Sequence, residues 1–370
     1  MKCEKLMKNT LHKKFESGGK RLLLYLSRQL LHPKKRQPLS LNQITKILVF
    51  RLDQRVGNGM MLLPLLRAIR HSLPEVQLHL LLHHPVSDVY QKYSGGLIDQ
   101  YWPYQQEKLL SNPMRFFSWL KVLRQQKYDL VISSHNPDNF SISQVLLGWW
   151  CRPKALLGFS WQGSSAYYDI AVQSASDKHY AHSQLDLWKY FDPSAELFWG
   201  GLQVSPQDIQ KVMTENGLNS AEPSILLWLG ATGKKFLPAE LILALYNELS
   251  QNQGMKILPA LGPGDRKMLP DLPPEIQKKV LIWEHPLVET MAFIAGQKAF
   301  ISGDTGPAHL AAALGLPMLT IFIHSKKEQY GYHDGRLRFA LTYDGSENQR
   351  AEIAETIRIL IQAITHASKK

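Results

Sequence analysis

Short apolar runs alternate with amphipathic segments along the first half of the chain. KILVFRL (46–52), VQLHLLL (76–82) and DLVISS (129–134) are compact apolar runs that predict buried strands. MMLLPLLRAIRHSL (60–73) and PMRFFSWLKVLRQQ (113–126) repeat apolar residues at helical spacing and predict helices. Strands that alternate with helices usually pair in parallel, so this pattern favours an α/β sheet.

The alternation begins again in the second half. Strands are predicted for SILLWLG (224–230), MKILPAL (255–261) and KAFISG (298–303), and a helix for PAELILALYNELSQ (238–251). Residues 347–370 predict an amphipathic helix whose lysine end suits the helix dipole. We therefore predict two α/β units in sequence, with ligands bound beyond the carboxyl ends of their strands.

The stretch between the two units is less regular. HSQLDLWKYF (182–191) predicts a helix, and the polar segment 204–223 is typical of a connection between domains that carries a short helix of its own. A length of 370 residues fits two domains, each able to bury a core. The 44% hydrophobic and 20% charged residues indicate a globular chain and exclude a disordered or fibrous one.

Cysteine content and hydropathy bear on the compartment. Cys3 and Cys151 lie far apart and form neither a disulfide framework nor a zinc motif, so we expect a reducing cytosol. The apolar runs are shorter than the roughly 20 residues that span a membrane. The start of the chain also lacks the apolar core and cleavage site of a secretory signal.

Positive charge is concentrated at the N-terminus. Residues 1–40 hold eleven Lys and Arg against two Glu, which is +9 of the net +12. KRLLLYLSRQLLHPKKRQP (20–38) has an apolar stretch with cationic flanks, which suits adsorption to an anionic membrane surface. A solvated, frayed tail explains the same charge equally well. Nucleic acid is disfavoured as a partner because aromatic residues are not interleaved with the basic ones.

The strongest chemical signal is KAFISGDTGPAHLAAALGLPMLTIF (298–322). It predicts a strand, a tight turn, an alanine-rich helix and a second strand. Asp304 and Thr305 can cap this helix, and Gly315 can end it. The amides of Thr305 and Gly306 then form a helix N-terminus at a strand's carboxyl end, which is a ready anion site. His309, one turn further, can point toward the same place.

DTGPAHLAAALGLP (304–317) resembles the nucleotide-sugar motif of the ADP-heptose:lipopolysaccharide heptosyltransferases, glycosyltransferase family 9. Three further stretches are similar to segments of that family, and with them the resemblance extends over about residues 46–323. They are KILVFRLDQRVGNGMMLLPLLRAIR (46–70), LGATGKKFLP (229–238) and LGPGDRKML (261–269).

The resemblance implies a GT-B fold, in which two Rossmann-like domains face each other across a cleft. Residues 46–200 would be the acceptor domain, 201–222 a linker and 223–370 the nucleotide-sugar domain, after a basic segment 1–45 that is a candidate membrane anchor. The implied reaction moves heptose from ADP-heptose to the inner core of lipopolysaccharide. It inverts the anomeric centre and requires neither a metal nor another cofactor. The implied location is cytoplasmic, peripheral on the inner face of the bacterial inner membrane.

The resemblance also assigns a donor site. Its members are Lys235, with Lys234 as a substitute, together with Asp265, Asp304, Thr305, Gly306 and His309. The lysine, the helix amides and His309 would hold the diphosphate, whose negative charge grows in the transition state. Asp265 would accept from ribose hydroxyls, and Asp304 would cap the helix and orient His309 or the donor. Ordinary structural explanations stay open: a solvated lysine, a plain cap, a buried helix histidine and an exposed turn aspartate.

Asp53 and Asn58 decide the mechanism. An inverting transferase needs a general base near the acceptor hydroxyl, and a carboxylate has the basicity that an amide lacks. Alignment from Pro64 places Asn58 where the family has Asp, directly after Gly57. Either Asp53 or another acid replaces the base, or Asn58 only orients the acceptor and turnover is slow, or the chain is a non-catalytic relative that binds nucleotide, glycan or a partner.

Other positions bear on substrate choice. His179, His182 and Trp188 are candidates to face the acceptor, although helix packing also explains Trp188. Phe236 and Leu237 occupy a region where the family usually has tryptophan. IHSKKEQYGYHD (323–334) lacks the family's small Gly-Pro-Thr loop. A nucleotide sugar other than ADP-heptose is therefore an alternative donor.

Overall fold

The computed structural model describes residues 39–107, 111–161, 164–175, 177–251 and 254–367. The basic segment that predicts a membrane anchor lies outside the described residues, apart from its last few. Within the described ranges, no helix combines the length and the apolarity needed to cross a bilayer.

Two parallel six-stranded sheets form the framework, and both have the same strand order. The first, in the order β3-β2-β1-β4-β5-β6, consists of β1 (Lys46–Phe50), β2 (Gln77–His83), β3 (Gln100–Tyr104), β4 (Leu130–Ser133), β5 (Ala155–Phe159) and β6 (Ile170–Val172). The second, in the order β9-β8-β7-β10-β11-β12, consists of β7 (Ser224–Trp228), β8 (Lys256–Leu261), β9 (Leu281–Ile282), β10 (Ala299–Gly303), β11 (Met318–Phe322) and β12 (Arg338–Thr342).

Helices connect the parallel strands. They are α1 (Val56–Met60), α2 (Leu63–Ser72), α3 (His84–Tyr93), α4 (Pro113–Gln125), α5 (Ile142–Cys151), α6 (Tyr180–Lys189), α7 (Pro206–Glu215), α8 (Ala239–Ser250), α9 (Pro274–Gln277), α10 (Leu287–Ala295), α11 (Gly306–Leu314), α12 (Lys327–Tyr330) and α13 (Glu347–Ala367). We call the half built on β1–β6 the N-terminal domain and the half built on β7–β12 the C-terminal domain.

The shared strand order sets where ligands bind. In each sheet the order reverses once, between β1 and β4 and again between β7 and β10, where the neighbouring strands pair in register. At such a switch point the connections leave in opposite directions and open a crevice beyond the carboxyl ends of the strands. The residues that follow these four strands are therefore the first candidates for chemistry.

The predicted strands, and the helices at 113–126, 182–191, 238–251 and the C-terminus, are confirmed, and with them the two α/β units. The prediction of one helix over 60–73 is wrong at its start. Helix α1 already begins at Val56, and α2 follows after a break at Met61 and Leu62. Pattern analysis also missed α5, because its sequence ISQVLLGWWC is apolar on nearly all sides and shows no amphipathic stripe. The domain boundaries at 200 and 223 stay predictions.

The two domains touch directly. The Tyr93 hydroxyl donates to the Val288 carbonyl (3.2 Å), and the Arg67 guanidinium donates to the Gly200 carbonyl (2.6 Å). The Leu202 amide donates to the carbonyl of Ala313 in α11 (3.1 Å). The crossing segment near residue 200 is thus bonded to both halves.

Asp334 organises the loop that precedes β12. Its carboxylate accepts from the amides of Arg336, Leu337 and Arg338 at 2.9–3.0 Å and from the Arg338 guanidinium at 2.6 Å. The same guanidinium donates to the Gly315 carbonyl at the end of α11 (2.9 Å). Burial disfavours the ionised form of Asp334, but these donors outweigh it and lower its pKa to about 2.

Asp334→Asn is expected to lower the free energy of unfolding by about 2 kcal/mol at pH 7, because charge-assisted hydrogen bonds are lost. A depressed pKa contributes stability that is present above the ordinary value of 3.8 and is lost as the pH falls toward 2. The difference in free energy of unfolding between the parent protein and the variant, measured by urea denaturation, should therefore shrink as the pH falls from 5 toward 2. Asp271→Asn, at an exposed carboxylate, is the control. A difference that is constant with pH would contradict the assignment.

Candidate functional site

Arg51 joins the ends of β1 and β4 at the first switch point. Only 2% of this residue is exposed. Its guanidinium donates to the Asp53 carboxylate, the Ser134 carbonyl (2.8 Å) and the Asn136 side-chain oxygen. Burial lowers the pKa of Arg51, although the neighbouring carboxylate opposes this. Asp53 is therefore held in place by a buried cation.

Asp53 accepts from two further donors. The Asn58 amide nitrogen and the Arg55 backbone amide each lie 3.1 Å from its Oδ1 atom. The Asn58 side chain thus faces Asp53 with its amide nitrogen, which donates. The Asp53 side chain is still 34% exposed. It is thus fixed by three partners and open to a substrate.

A polar cavity of about 410 Å³ lies beside this carboxylate. It is lined by Arg51, Leu52, Asp53, Arg55, Asn58, Tyr104, Gln106, His135, Asn136, Asn139, Ser141, Ser143 and Gln144. Hydroxyl, amide and charged groups predominate, which suits a polyhydroxylated ligand. We call it the polar cavity.

Pattern analysis missed the second wall of the polar cavity, residues 135–144. The signal was available, because HNPDNF (135–140) follows the predicted strand DLVISS and strand carboxyl ends carry ligand-binding residues. His135 is buried there and stacks on Tyr168, with ring centroids 6.1 Å apart. Burial and the nearby Arg51 lower the pKa of His135 to about 4, so its ring is neutral at pH 7.

Gly57 and Asn58 lie in a helical turn. Both belong to α1 and both are buried. The backbone of Gly57 lies against His309 of the C-terminal domain, and a Cβ atom built on Gly57 would be 2.3 Å from His309 Cδ2. The glycine is therefore required by the contact between the domains.

The second switch point carries the predicted donor site. Gly306 begins α11 directly beyond β10, Pro307 lies in its first turn, and Gly315 ends it with a left-handed backbone (φ 79°). The expectation that side chains cap this helix is wrong. Thr305 occupies the N-cap position without a side-chain bond, and the carboxylate of Asp304 bonds elsewhere. Pro307 has no N–H and the Ala308 amide donates to the Thr305 carbonyl (3.2 Å), so the Gly306 amide is the donor that this helix start could offer to an anion.

Lys235 pairs with Asp304 across the switch point. Its Nζ atom lies 2.5 Å from Oδ2 of the buried Asp304 and 5.7 Å from the centre of the Tyr330 ring. Lys235 ends a short 3-10 turn after β7, and its side chain is partly exposed. Of the two lysines predicted for this site, the structure places Lys235 beside the helix start. The side chain of Lys234 is not described.

Asp265 follows β8, next to β7. A Cβ atom added to Gly230 would lie 2.1 Å from its Oδ2 atom, so the carboxylate rests on the backbone of the β7 turn. Burial raises the pKa of Asp265. The residue is thus packed at the edge of the predicted nucleotide site, unlike an exposed turn aspartate. Its contact with a ribose stays a prediction.

His309 is buried between the domains. Its Nδ1 atom is 2.7 Å from the Tyr332 hydroxyl. Burial lowers its pKa to about 4, with Asp304 opposing the shift and Lys235 adding to it, so the ring is neutral at pH 7. In this arrangement His309 makes a domain contact, and a bond to a diphosphate stays a prediction.

The remaining predicted residues lie farther from the polar cavity. His182 packs near Trp199, with ring centroids 5.9 Å apart, and does not line that cavity. His179 is buried against Tyr332. Trp188 is fully buried and donates to the Ser72 hydroxyl (2.9 Å), so helix packing accounts for it.

Two tyrosines that pattern analysis missed connect the sites. Tyr180 of the N-terminal domain donates to Asp138 at 2.7 Å and meets Tyr330 of the C-terminal domain edge-to-face, with centroids 5.0 Å apart. Tyr330 in turn lies beside Lys235. The two switch points therefore face each other, with Asp53 on one side and, on the other, Lys235 paired with Asp304 at the start of α11.

Comparison with known proteins agrees with this geometry. The model of glycosyltransferase family 9 (heptosyltransferase) matches residues 116–352, a range that begins after Asp53 and Asn58. A family 9 glycosyltransferase from Veillonella parvula is 17% identical with a TM-score of 0.70, over 90% of this chain and 99% of that one. ADP-heptose lipopolysaccharide heptosyltransferase II from E. coli is 19% identical (TM-score 0.67), and E. coli heptosyltransferase WaaC with ADP 18% (0.64). Each alignment covers 86% of this chain and 99% of the other.

No curated protein sequence matches at a significant level. The solved structures establish the fold, which is the GT-B arrangement of two Rossmann-like domains. The family model spans well over half of the residues. The chain therefore belongs to glycosyltransferase family 9.

Proposed function

We propose that the protein transfers heptose from ADP-heptose to an inner-core acceptor of lipopolysaccharide, with inversion and without a metal. Family membership and fold support glycosyl transfer in general. The names of two similar structures, an ADP-heptose lipopolysaccharide heptosyltransferase and a heptosyltransferase with ADP, support the finer choice. The observation that carries the proposal is Asp53, fixed and open in the polar cavity opposite the α11 start.

The donor side would stabilise the leaving diphosphate. As the bond from the anomeric carbon to the diphosphate oxygen breaks, negative charge collects on that oxygen. Lys235 would exchange its partner Asp304 for a phosphate oxygen, and the amides at Thr305 and Gly306 would donate to the same group. Asp265 would accept from the ribose, beside the β7 turn.

The acceptor side would activate the sugar hydroxyl. Asp53 would take the hydroxyl proton while the oxygen attacks the anomeric carbon from the face opposite the diphosphate, and the proton ends on the Asp53 carboxyl. Asn58 has no usable basicity, so its role would be to hold Asp53 through its amide nitrogen. Gly57 would serve by allowing the domains to approach.

Two alternatives have observations in their favour. Asn58 at the expected base position favours a weakly active or non-catalytic relative that binds nucleotide sugar or glycan. Phe236 and Leu237 stand where the family usually has tryptophan, and residues 323–334 lack its Gly-Pro-Thr loop, which favours a different nucleotide sugar. We further propose a cytoplasmic location, peripheral at the inner membrane, with the basic segment 1–45 on anionic lipid.

Asp53→Asn is expected to reduce kcat by about 10²-fold or more, because the amide cannot accept the proton. The measurement is transfer by the purified protein with a panel of nucleotide sugars, which also identifies the donor. Calorimetric affinity for ADP should stay unchanged in the variant, which separates a lost base from a lost donor site. Full activity of Asp53→Asn would refute the assignment of Asp53 as the general base.

Asn58→Asp places a second carboxylate about 3 Å from the first. Like charges at this distance disfavour double ionisation, so one pKa of the pair rises. We expect the acidic limb of the pH–rate profile to move to higher pH, with less activity below neutrality. If instead the natural protein has no transfer activity and the Asn58→Asp variant has it, the natural protein is a binding module.

Lys235→Met is expected to weaken ADP binding about tenfold or more in calorimetry, since a charge-assisted hydrogen bond is lost. Lys234→Met is the matched control, and an effect confined to it would make Lys234 the donor lysine. The affinity for UDP, measured in the same way, tests whether the site prefers the adenine base of ADP. Indifference of the parent protein to both nucleotides would refute the transferase proposal.

A further inference from the structure

Helix α4 presents large apolar side chains to solvent. Met114 is 82% exposed and Phe117 is 61% exposed, and Val122 in the last turns is 43% exposed. Met114, Phe117 and the exposed Lys121 are spaced by three and four residues, so they lie on one helix face. The opposite face, with Leu120 and Leu123, is buried in the core of the N-terminal domain.

All charged residues of this helix and its immediate flanks are cationic. From Ser111 to Tyr128 the chain carries Arg115, Lys121, Arg124 and Lys127 and no acidic residue. The next acid, Asp129, is buried and pairs with Lys154. Large apolar side chains beside cations, with no acid among residues 111–128, are the composition of a helix that lies in a lipid–water interface.

The position of α4 relates it to the polar cavity. Tyr104, which lines the cavity at the end of β3, packs against Trp119 of α4 with ring centroids 6.2 Å apart. The indole of Trp150 in α5 donates to the Leu120 carbonyl (2.9 Å), and α5 begins among the cavity residues Ser141 and Ser143. A surface that covers α4 therefore lies close to the wall of the acceptor side.

We propose that the outward face of α4 lies on an anionic lipid bilayer, with Met114 and Phe117 among the acyl chains and the cations at the headgroups. This contact is separate from the basic segment 1–45 and goes beyond the proposed transfer reaction. It sets the polar cavity beside the membrane surface. We expect the affinity of this face for the bilayer to be modest and the binding to be reversible, because only two or three apolar side chains and a few cations contribute.

The positive charge of α4 favours an anionic lipid surface, rather than a second copy of the chain, as the partner of this face. A symmetric dimer through this face would bring the same patch of each copy together, so Arg115 and Lys121 would meet their own equivalents. Like charges in such an interface are unfavourable. An anionic bilayer neutralises them instead.

The test uses the full chain and vesicles of phosphatidylglycerol with phosphatidylethanolamine, or of phosphatidylcholine alone. The parent protein should co-sediment with the anionic vesicles and much less with the neutral ones. The double variant Met114→Ser with Phe117→Ser should bind the anionic vesicles about tenfold more weakly. The double variant Arg115→Glu with Lys121→Glu should bind the anionic vesicles more weakly to a similar degree. Added salt should weaken the binding of the parent protein to these vesicles.

Matched controls are available on the opposite domain. Ile359→Ser changes an apolar side chain that is 43% exposed on α13, and Lys298→Glu reverses an exposed charge. Both should bind like the parent protein. Because the basic N-terminus is present in every variant, its contribution is a constant background. Vesicle binding requires neither donor nor turnover, so its outcome is independent of the transfer assay.

A second measurement reports insertion directly. Met114→Cys in a Cys3→Ser background is labelled with an environment-sensitive fluorophore, and Ile359→Cys serves as its control. Anionic vesicles should shift the emission at position 114 to the blue and leave position 359 unchanged. Unaltered emission at 114 with undiminished binding of the double variant would overturn the proposal. So would a dimer in solution that the double variant abolishes, because the face would then join two copies.

Discussion

The contact between Gly57 and His309 is the constraint on which the site depends. The imidazole ring occupies the space that any side chain at position 57 would need, so α1 and α11 approach with bare backbone on one side. The ring is neutral because burial lowers its pKa, and it therefore brings no charge into the domain boundary. This approach brings Val56, beside Gly57, against Gly306 at the start of α11. The crevice of one Rossmann-like domain consequently opens toward the crevice of the other.

Charge is distributed unequally between the two crevices. On the acceptor side, the buried guanidinium of Arg51 needs acceptors, and it obtains them from both strands of the switch point. Asp53 is one of these acceptors and is therefore part of the framework as well as a candidate base. On the donor side, Lys235 and Asp304 neutralise each other. The N-terminal end of α11 then provides the remaining electrostatic attraction for an anion.

Sequence periodicity predicted β1, β2, β4, β7, β8, β10 and β11, most of which are buried on both faces and read as short apolar runs. It did not predict β3, β5, β6, β9 and β12, of which β3, β6 and β9 are only partly buried. It failed where distant residues decide the outcome. The string DTGP carries every local signal of a side-chain cap, yet Asp304 bonds to Lys235, which is 69 positions away. Gly57 and Gly59 have poor helix propensity, and α1 is nevertheless helical where it packs on α11. The partnership of Tyr180 with Asp138 likewise joins residues with no common pattern. The assignment of the donor and acceptor sites came from resemblance, and the local fold explains why those residues lie at strand ends.

The hydrogen bond from Asn58 to Asp53 also limits the order in which this site can change. A lone step from Asn to Asp at position 58 opposes two negative charges, and a lone step from Asp to Asn at position 53 leaves Arg51 without a counter-charge. A lineage that moved the carboxylate from one position to the other must therefore have passed through an intermediate with either two acids or none. Positions 53 and 58 are therefore coupled through their shared contacts, and a change at one of them alters the charge that the other one meets.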